Sequence, residues 1–83
     1  MTKLSVLLVF QDAKGFATPD QARRNLHPAS DRRSFYSYLA RLKTQGLLER
    51  APNSRRGRLS YRITKRGYER IAYLRARLNR KFR

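Results

Sequence analysis

The spacing of hydrophobic residues changes after Gly46, and this change favours a fold that combines helices with a small sheet. Before Gly46, Phe35, Leu39 and Leu42 recur at i, i+4 and i+7, as on the buried face of a helix. After it, residues 59–63 alternate between apolar and polar, as in a strand with one buried face. The sequence therefore predicts a mainly helical α+β domain.

The first predicted helix spans residues 4–12, where apolar residues occupy more than one face. Periodicity alone fits a strand or a buried helix equally well. We favour a helix because Leu4, Leu7 and Leu8 keep helical spacing and Gly15 follows as a terminator.

A capping pattern predicts the start of a second, short helix. Thr18 can cap it, Pro19 suits its first position, and Gln21 completes a T-x-x-Q capping box. We expect this helix to run through Leu26 and to stop before Pro28.

The third helix is expected over residues 31–45. Ser30 opens it, and Asp31 lies in its first turn, where an acid complements the helix dipole. Gly46 is typical of the residue just beyond a helix C-terminus.

Two strands are predicted after Gly46, over residues 47–50 and 59–63. The segment between them is rich in turn residues and in arginine. This pattern indicates a β-hairpin with a positively charged tip at residues 53–58.

A last, long helix is predicted from about residue 64 to residue 83, capped by Thr64. Its apolar stripe reaches Leu78 and Phe82, beyond what a compact monomer of this size needs to bury. We expect these two residues to contact a second copy of the chain in a homodimer; the alternative is that this end folds back on the first helix. Residues 1–83 then form a single domain in the order α-α-α-β-β-α.

Charge is the feature of composition that bears most on function. The chain has 21 Lys and Arg residues against 5 Asp and Glu, a formal net charge of +16. From Arg55 to Arg83 the one acid is Glu69. Such a field attracts polyanions, so a nucleic-acid partner is expected.

Composition also argues against several classes of protein. The chain has no cysteine and one histidine, so we expect no disulfide, metal or cofactor. Its acids are scattered, no Gly-rich phosphate loop follows a strand, and no enzyme activity or small-molecule effector is expected. The apolar run at residues 4–10 is too short to cross a bilayer and lacks a signal-peptide cleavage pattern. A cytoplasmic, nucleoid-associated location is the expectation.

Two motifs resemble those of a known group of regulators. Residues 34–50 contain the pattern F-x-x-x-L-x-x-L-x-x-x-G-L-L-E-R, and this stretch resembles the recognition helix and following strand of bacterial winged-helix regulators. Residues 61–67, Y-R-I-T-K-R-G, are similar to the junction after the wing in MarR-like and PadR-like regulators. The matches extend over most of residues 18–74. They imply a winged helix-turn-helix fold and a DNA-binding transcription regulator, although such regulators usually carry additional helices for which this chain has little room.

The third helix would then be the recognition helix in the major groove. A helical projection places six residues opposite its apolar stripe: Arg33, Tyr36, Ser37, Ala40, Arg41 and Thr44. The small Ser37 and Ala40 allow close approach to base edges. Arg33 and Arg41 suit guanine or phosphate, and Tyr36 a phosphate or a thymine methyl group. The alternative is a solvated helix face.

Further arginines are expected on the DNA backbone. Arg55, Arg56 and Arg58 at the hairpin tip suit a flanking minor groove or its phosphates, the alternative being a solubilising loop. Arg32 suits a phosphate at the entry to the third helix.

Sequence-specific binding of double-stranded DNA is the function that these patterns favour. Two other classes stay open: an RNA-binding or ribosome-associated protein, which a charge of +16 suits equally, and an interaction module for an acidic protein. The small residues at the centre of the predicted recognition face favour DNA, because the deep, narrow major groove of RNA does not admit such a helix.

Overall fold

The order of elements agrees with the predicted order α-α-α-β-β-α, and the chain is mainly helical with one small antiparallel sheet. The computed structural model describes residues 2–26, 31–52 and 59–81. The elements are α1 (Lys3–Ala13), α2 (Pro19–Arg24), α3 (Arg32–Thr44), β1 (Leu48–Arg50), β2 (Tyr61–Ile63) and α4 (Lys65–Lys81). The predicted hairpin tip at residues 53–58 and Phe82 lie outside the described residues.

Residues 3–13 form a helix, so the choice of helix over strand is confirmed. Thr2 caps α1 in a capping box with Ser5, which the sequence analysis did not identify. The terminator was assigned wrongly: Lys14, not Gly15, adopts the left-handed conformation, with φ 54°. Its N–H donates to the Gln11 carbonyl at 3.3 Å, and the helix ends at Ala13, one residue later than predicted.

The predicted capping box at the start of α2 is confirmed, but the predicted end is wrong. The N–H of Gln21 donates to Thr18 Oγ1 at 3.2 Å, and the N–H of Thr18 donates to Gln21 Oε1 at 2.9 Å. The helix ends at Arg24 instead of running through Leu26. Its last turn tightens into i→i−3 hydrogen bonds, from Asn25 and then from Leu26. Leu26 is buried after the end of the helix.

Asp31 is the N-cap of α3 and not a residue of its first turn, which corrects the predicted start. Its carboxylate accepts hydrogen bonds from the N–H groups of Arg33 and Ser34, each at 3.1 Å. Hydrogen bonding to Ser34 lowers the pKa of Asp31 below its ordinary value. Ser30, the predicted opening residue, lies outside the described residues. At the other end Gly46 adopts φ 80°, as its predicted place beyond the C-terminus requires.

The sheet has shorter strands than predicted and one position that was not predicted. Pairing between β1 and β2 joins Leu48 to Ile63, Glu49 to Arg62 and Arg50 to Tyr61. Ala17 adds an isolated antiparallel bridge on the free edge of β2, through two hydrogen bonds of 2.9 Å with Tyr61. This bridge ties the segment between α1 and α2 to the sheet.

One hydrophobic cluster joins all six elements. Its buried residues are Val6, Leu7, Phe10, Ala17, Ala22, Leu26, Phe35, Leu39, Leu42, Leu47, Leu48, Tyr61, Ile63 and Ile71. Of the predicted core residues of α3, Phe35, Leu39 and Leu42 are among them, whereas Tyr38 is half-buried and packs against the cluster. None of the helices in the described ranges is both long and apolar enough to cross a membrane.

Thr64 links the turn after α3 to the start of α4, and its predicted capping role is confirmed. Its hydroxyl accepts from the N–H of Gly67 at 3.0 Å and donates to the carbonyl of Gly46 at 2.6 Å. Its N–H donates to the Leu47 carbonyl at 3.1 Å. The turn after α3 and the start of α4 are therefore held together by one residue.

Candidate functional site

The face of α3 that the sequence assigns to a nucleic acid is exposed in large part. Phe35, Leu39 and Leu42 are fully buried on the opposite side, which fixes the rotation of the helix. Five of the six predicted residues are exposed: Arg33, Ser37, Ala40, Arg41 and Thr44. Tyr36, the sixth, is half-buried.

Three predicted residues share one shallow depression along α3. Arg33, Ser37 and Arg41 line it together with Ser34 and Tyr38, and its volume is about 410 Å³. The two arginines lie eight residues apart, about 12 Å along the helix axis, with the small Ser37 between them. The two long arginine side chains therefore stand on either side of a short one on this face.

Tyr36 and Arg32 belong to a second cluster, near α2. The Tyr36 hydroxyl donates to Asp20 Oδ1 at 3.2 Å, and Arg32 Nη2 donates to Asp20 Oδ2 at 3.2 Å. The guanidinium of Arg32 lies 5.7 Å from the centre of the Tyr36 ring. Interaction with Tyr36, and then with the Asp20 carboxylate, raises the pKa of Arg32. The predicted site residues thus form two groups along α3.

Asp20 is the residue of this region that sequence reasoning missed. It lies in the first turn of α2, where an acid is expected for the helix dipole alone. Its two partners are 12 and 16 residues away in sequence, and only the packing of α2 against α3 brings them together. No local pattern carries that signal.

The C-terminal end of α3 is held firmly. The Thr44 hydroxyl donates to the Ala40 carbonyl at 3.0 Å. The next turn is anchored to α4 through Thr64 and Gly46. The side chain of Arg66 lies over this turn, since a β-carbon built at Gly46 would be 3.5 Å from Arg66 Cδ.

In the part of the chain that the structure describes, the arginines of α3 differ in whether an acid pairs with them. Among residues 2–26, 31–52 and 59–78, ion pairs join Arg32 to Asp20 and Arg62 to Glu49. Arg33 and Arg41 are exposed and form no ion pair in that part of the chain. The exposed face of α3 can therefore attract an anion without first losing an internal partner.

Arg55, Arg56 and Arg58, the predicted contacts of the hairpin tip, lie outside the described residues.

Comparison with protein-family models, with curated proteins and with solved structures finds no match for this chain.

Proposed function

We propose that the chain binds double-stranded DNA with sequence specificity, as a non-catalytic transcription regulator of the winged helix-turn-helix type. The observation that carries this proposal is the exposed face of α3. There Arg33 and Arg41, which form no ion pair among the described residues, flank the small Ser37. In this proposal α3 is the recognition helix.

The shape of this face supports major-groove binding. The groove of B-DNA is about 12 Å wide and admits one helix. With only Ser37 and Ala40 at its centre, α3 can approach base edges closely. Arg33 and Arg41 then reach guanine or phosphate, and Thr44 lies at the end of the same face.

The arrangement of neighbouring elements supports the winged-helix assignment. Helix α2 packs against α3, and two antiparallel strands follow. The bridge at Ala17 adds a third position to the sheet. The segment between the strands carries Arg55, Arg56 and Arg58, for which we propose contacts to the minor groove or its phosphates.

A selection of bound sequences from random duplex DNA tests this function. It is made with the full chain at about physiological salt, with excess RNA as competitor. Recovery of a defined sequence motif supports the proposal. Transfer of binding to the RNA, with no motif recovered, contradicts it in favour of an RNA-binding protein.

Variants then test whether α3 reads the motif. Arg33→Ala and Arg41→Ala should each weaken binding to the selected duplex by about 1–3 kcal/mol, and binding to random duplex much less. Arg75→Ala on α4 removes the same charge and is the matched control. Equal losses of affinity for the selected and the random duplex would show that the two arginines contact phosphates and not bases.

We also propose that two copies associate through the end of α4. Leu78 is 49% exposed although α1 packs on α4, and with Leu4 and Leu74 it lines a groove of about 350 Å³. Phe82, the other predicted contact, is four residues further on in the sequence and lies outside the described residues. A two-fold dimer presents two recognition helices to half-sites about one DNA turn apart. Leu78→Glu should then give monomers in sedimentation, and a wild-type chain that is monomeric at high concentration would exclude the dimer.

A further inference from the structure

A row of arginines and one tyrosine runs along α4 on a face that the core does not use. Arg66, Arg70, Tyr73 and Arg77 are spaced at four, three and four residues, which places them on one side of the helix. We call these four residues the α4 stripe. The apolar side of α4, with buried Ile71, lies about 100° away around the axis.

The tyrosine of the α4 stripe is exposed between two guanidinium groups. Tyr73 keeps 52% of its surface accessible. The guanidinium carbons of Arg70 and Arg77 lie 5.6 Å and 5.9 Å from the centre of its ring. An aromatic ring and two guanidinium planes are therefore held together at the surface, and both kinds of group stack on nucleobases.

The charge of the α4 stripe is not neutralised by the rest of α4. Glu69 is the one acid of this helix, and among the residues that the structure describes it pairs with no arginine. Arg66, Arg70 and Arg77 form no ion pair in the same part of the chain. Three unpaired positive charges in line suit the phosphates of a polyanion.

The side chains of the α4 stripe are unlike those on the exposed face of α3. Where α3 has Ser37 and Ala40 at its centre, α4 has Tyr73 between long arginines. Side chains of this length keep the helix axis away from base edges in a duplex groove. A duplex also keeps its base faces stacked inside, where Tyr73 cannot reach them. A single strand offers both phosphates and free base faces.

We propose that the α4 stripe binds single-stranded nucleic acid, with phosphates on its arginines and a base stacked against Tyr73. From Arg66 to Arg77 it extends about 16 Å along the helix, enough for a few nucleotides. This binding is separate from duplex recognition by α3 and does not depend on it. Tyr73 is the residue that distinguishes it from a general attraction for anions.

Fluorescence anisotropy with the full chain tests the proposal, using labelled oligothymidine and oligouridine of twelve nucleotides and a random duplex. Tyr73→Ala should weaken binding of at least one single strand by about tenfold or more, and binding of the duplex less than twofold. Tyr73→Phe keeps the ring and should restore the affinity. Arg70→Ala and Arg77→Ala should weaken single-strand binding more than Arg75→Ala, which removes the same charge from another face of α4.

The same measurements can overturn the proposal. If Tyr73→Ala binds both single strands as the wild type does, there is no stacking site. If the Arg70 and Arg77 variants lose no more than the Arg75 variant, the α4 stripe is a solvated face. Equal losses on single strands and duplex indicate a general polyanion contact. Circular dichroism of each variant checks that its helix content is unchanged.

Discussion

Replacing Gly67 by alanine should destabilise the chain strongly, because α4 lies against the sheet at this residue. A β-carbon at Gly67 would be 2.4 Å from the Leu47 carbonyl oxygen and 2.5 Å from Ile63 Cγ1. The carbonyl cannot move freely, since it accepts the hydrogen bond from the N–H of Thr64. Ile63 is itself buried. Ordinary contact therefore requires α4 to shift by about 1 Å, in a close-packed region that does not absorb such a change.

The magnitude follows from two opposing effects. Overpacking of this kind costs about 1–3 kcal/mol, and two simultaneous clashes place Gly67→Ala at the upper end. The higher helix propensity of alanine offsets at most about 1 kcal/mol of this loss in the free energy of unfolding. The free energy of unfolding should fall by about 2 kcal/mol, and the melting temperature by about 8–16 °C for a domain of this size.

Thermal and urea unfolding followed by circular dichroism measure this effect. Gly15→Ala is the matched control, because a β-carbon at Gly15 meets no atom within 4 Å. It should change the free energy of unfolding by no more than about 0.5 kcal/mol. A Gly67→Ala variant as stable as the wild type would refute the close packing of α4 against the turn after α3.

Three further variants test local features. Thr18→Ala removes the acceptor of the capping box on α2 and should lower the free energy of unfolding by about 1 kcal/mol in urea titrations; no change would mean that the cap adds nothing. Asp20→Asn frees Arg32 from its ion pair, so the affinity for random duplex should rise. The slope of log affinity against log salt concentration should steepen by up to about 0.9. Glu49→Gln, at the other ion pair, should leave the affinity and the slope unchanged. The lowered pKa of Asp31 makes its cap stabilising above its ordinary pKa of 3.8, and this stability is lost as pH falls through the lower pKa of the folded state. In Asp31→Asn the free energy of unfolding should therefore fall less steeply below about pH 4 than in the wild type. An equally steep fall would show that Asp31 is not the source of this pH dependence.

Local sequence signals were sufficient for the order of the elements and for the exposed face of α3, although not for every boundary. The Phe35, Leu39 and Leu42 stripe sets the rotation of α3, and the opposite face follows from geometry alone. Thr18 and Thr64 were predictable as caps because each supplies a side-chain acceptor just before a helical run. These features need no knowledge of the tertiary fold.

Features that depend on tertiary packing were not predictable. The bridge at Ala17 is a strand of one residue, too short to show alternation. The contacts of Asp20 with Arg32 and Tyr36 exist only because α2 packs on α3. Leu26 is buried, as a helical stripe would require, although the helix has already ended. The helical spacing therefore predicts the burial of Leu26 correctly, but the helix itself does not cause it.

The central claim, that the face of α3 carrying Arg33 and Arg41 contacts duplex DNA, is tested most directly by amide chemical shifts. The labelled chain is titrated with its selected duplex, and shift changes are assigned by residue. Our account predicts the largest changes at Ser37, Ala40 and Thr44, and small ones along the outer face of α4. Changes confined to α4, with α3 unaffected, would contradict it.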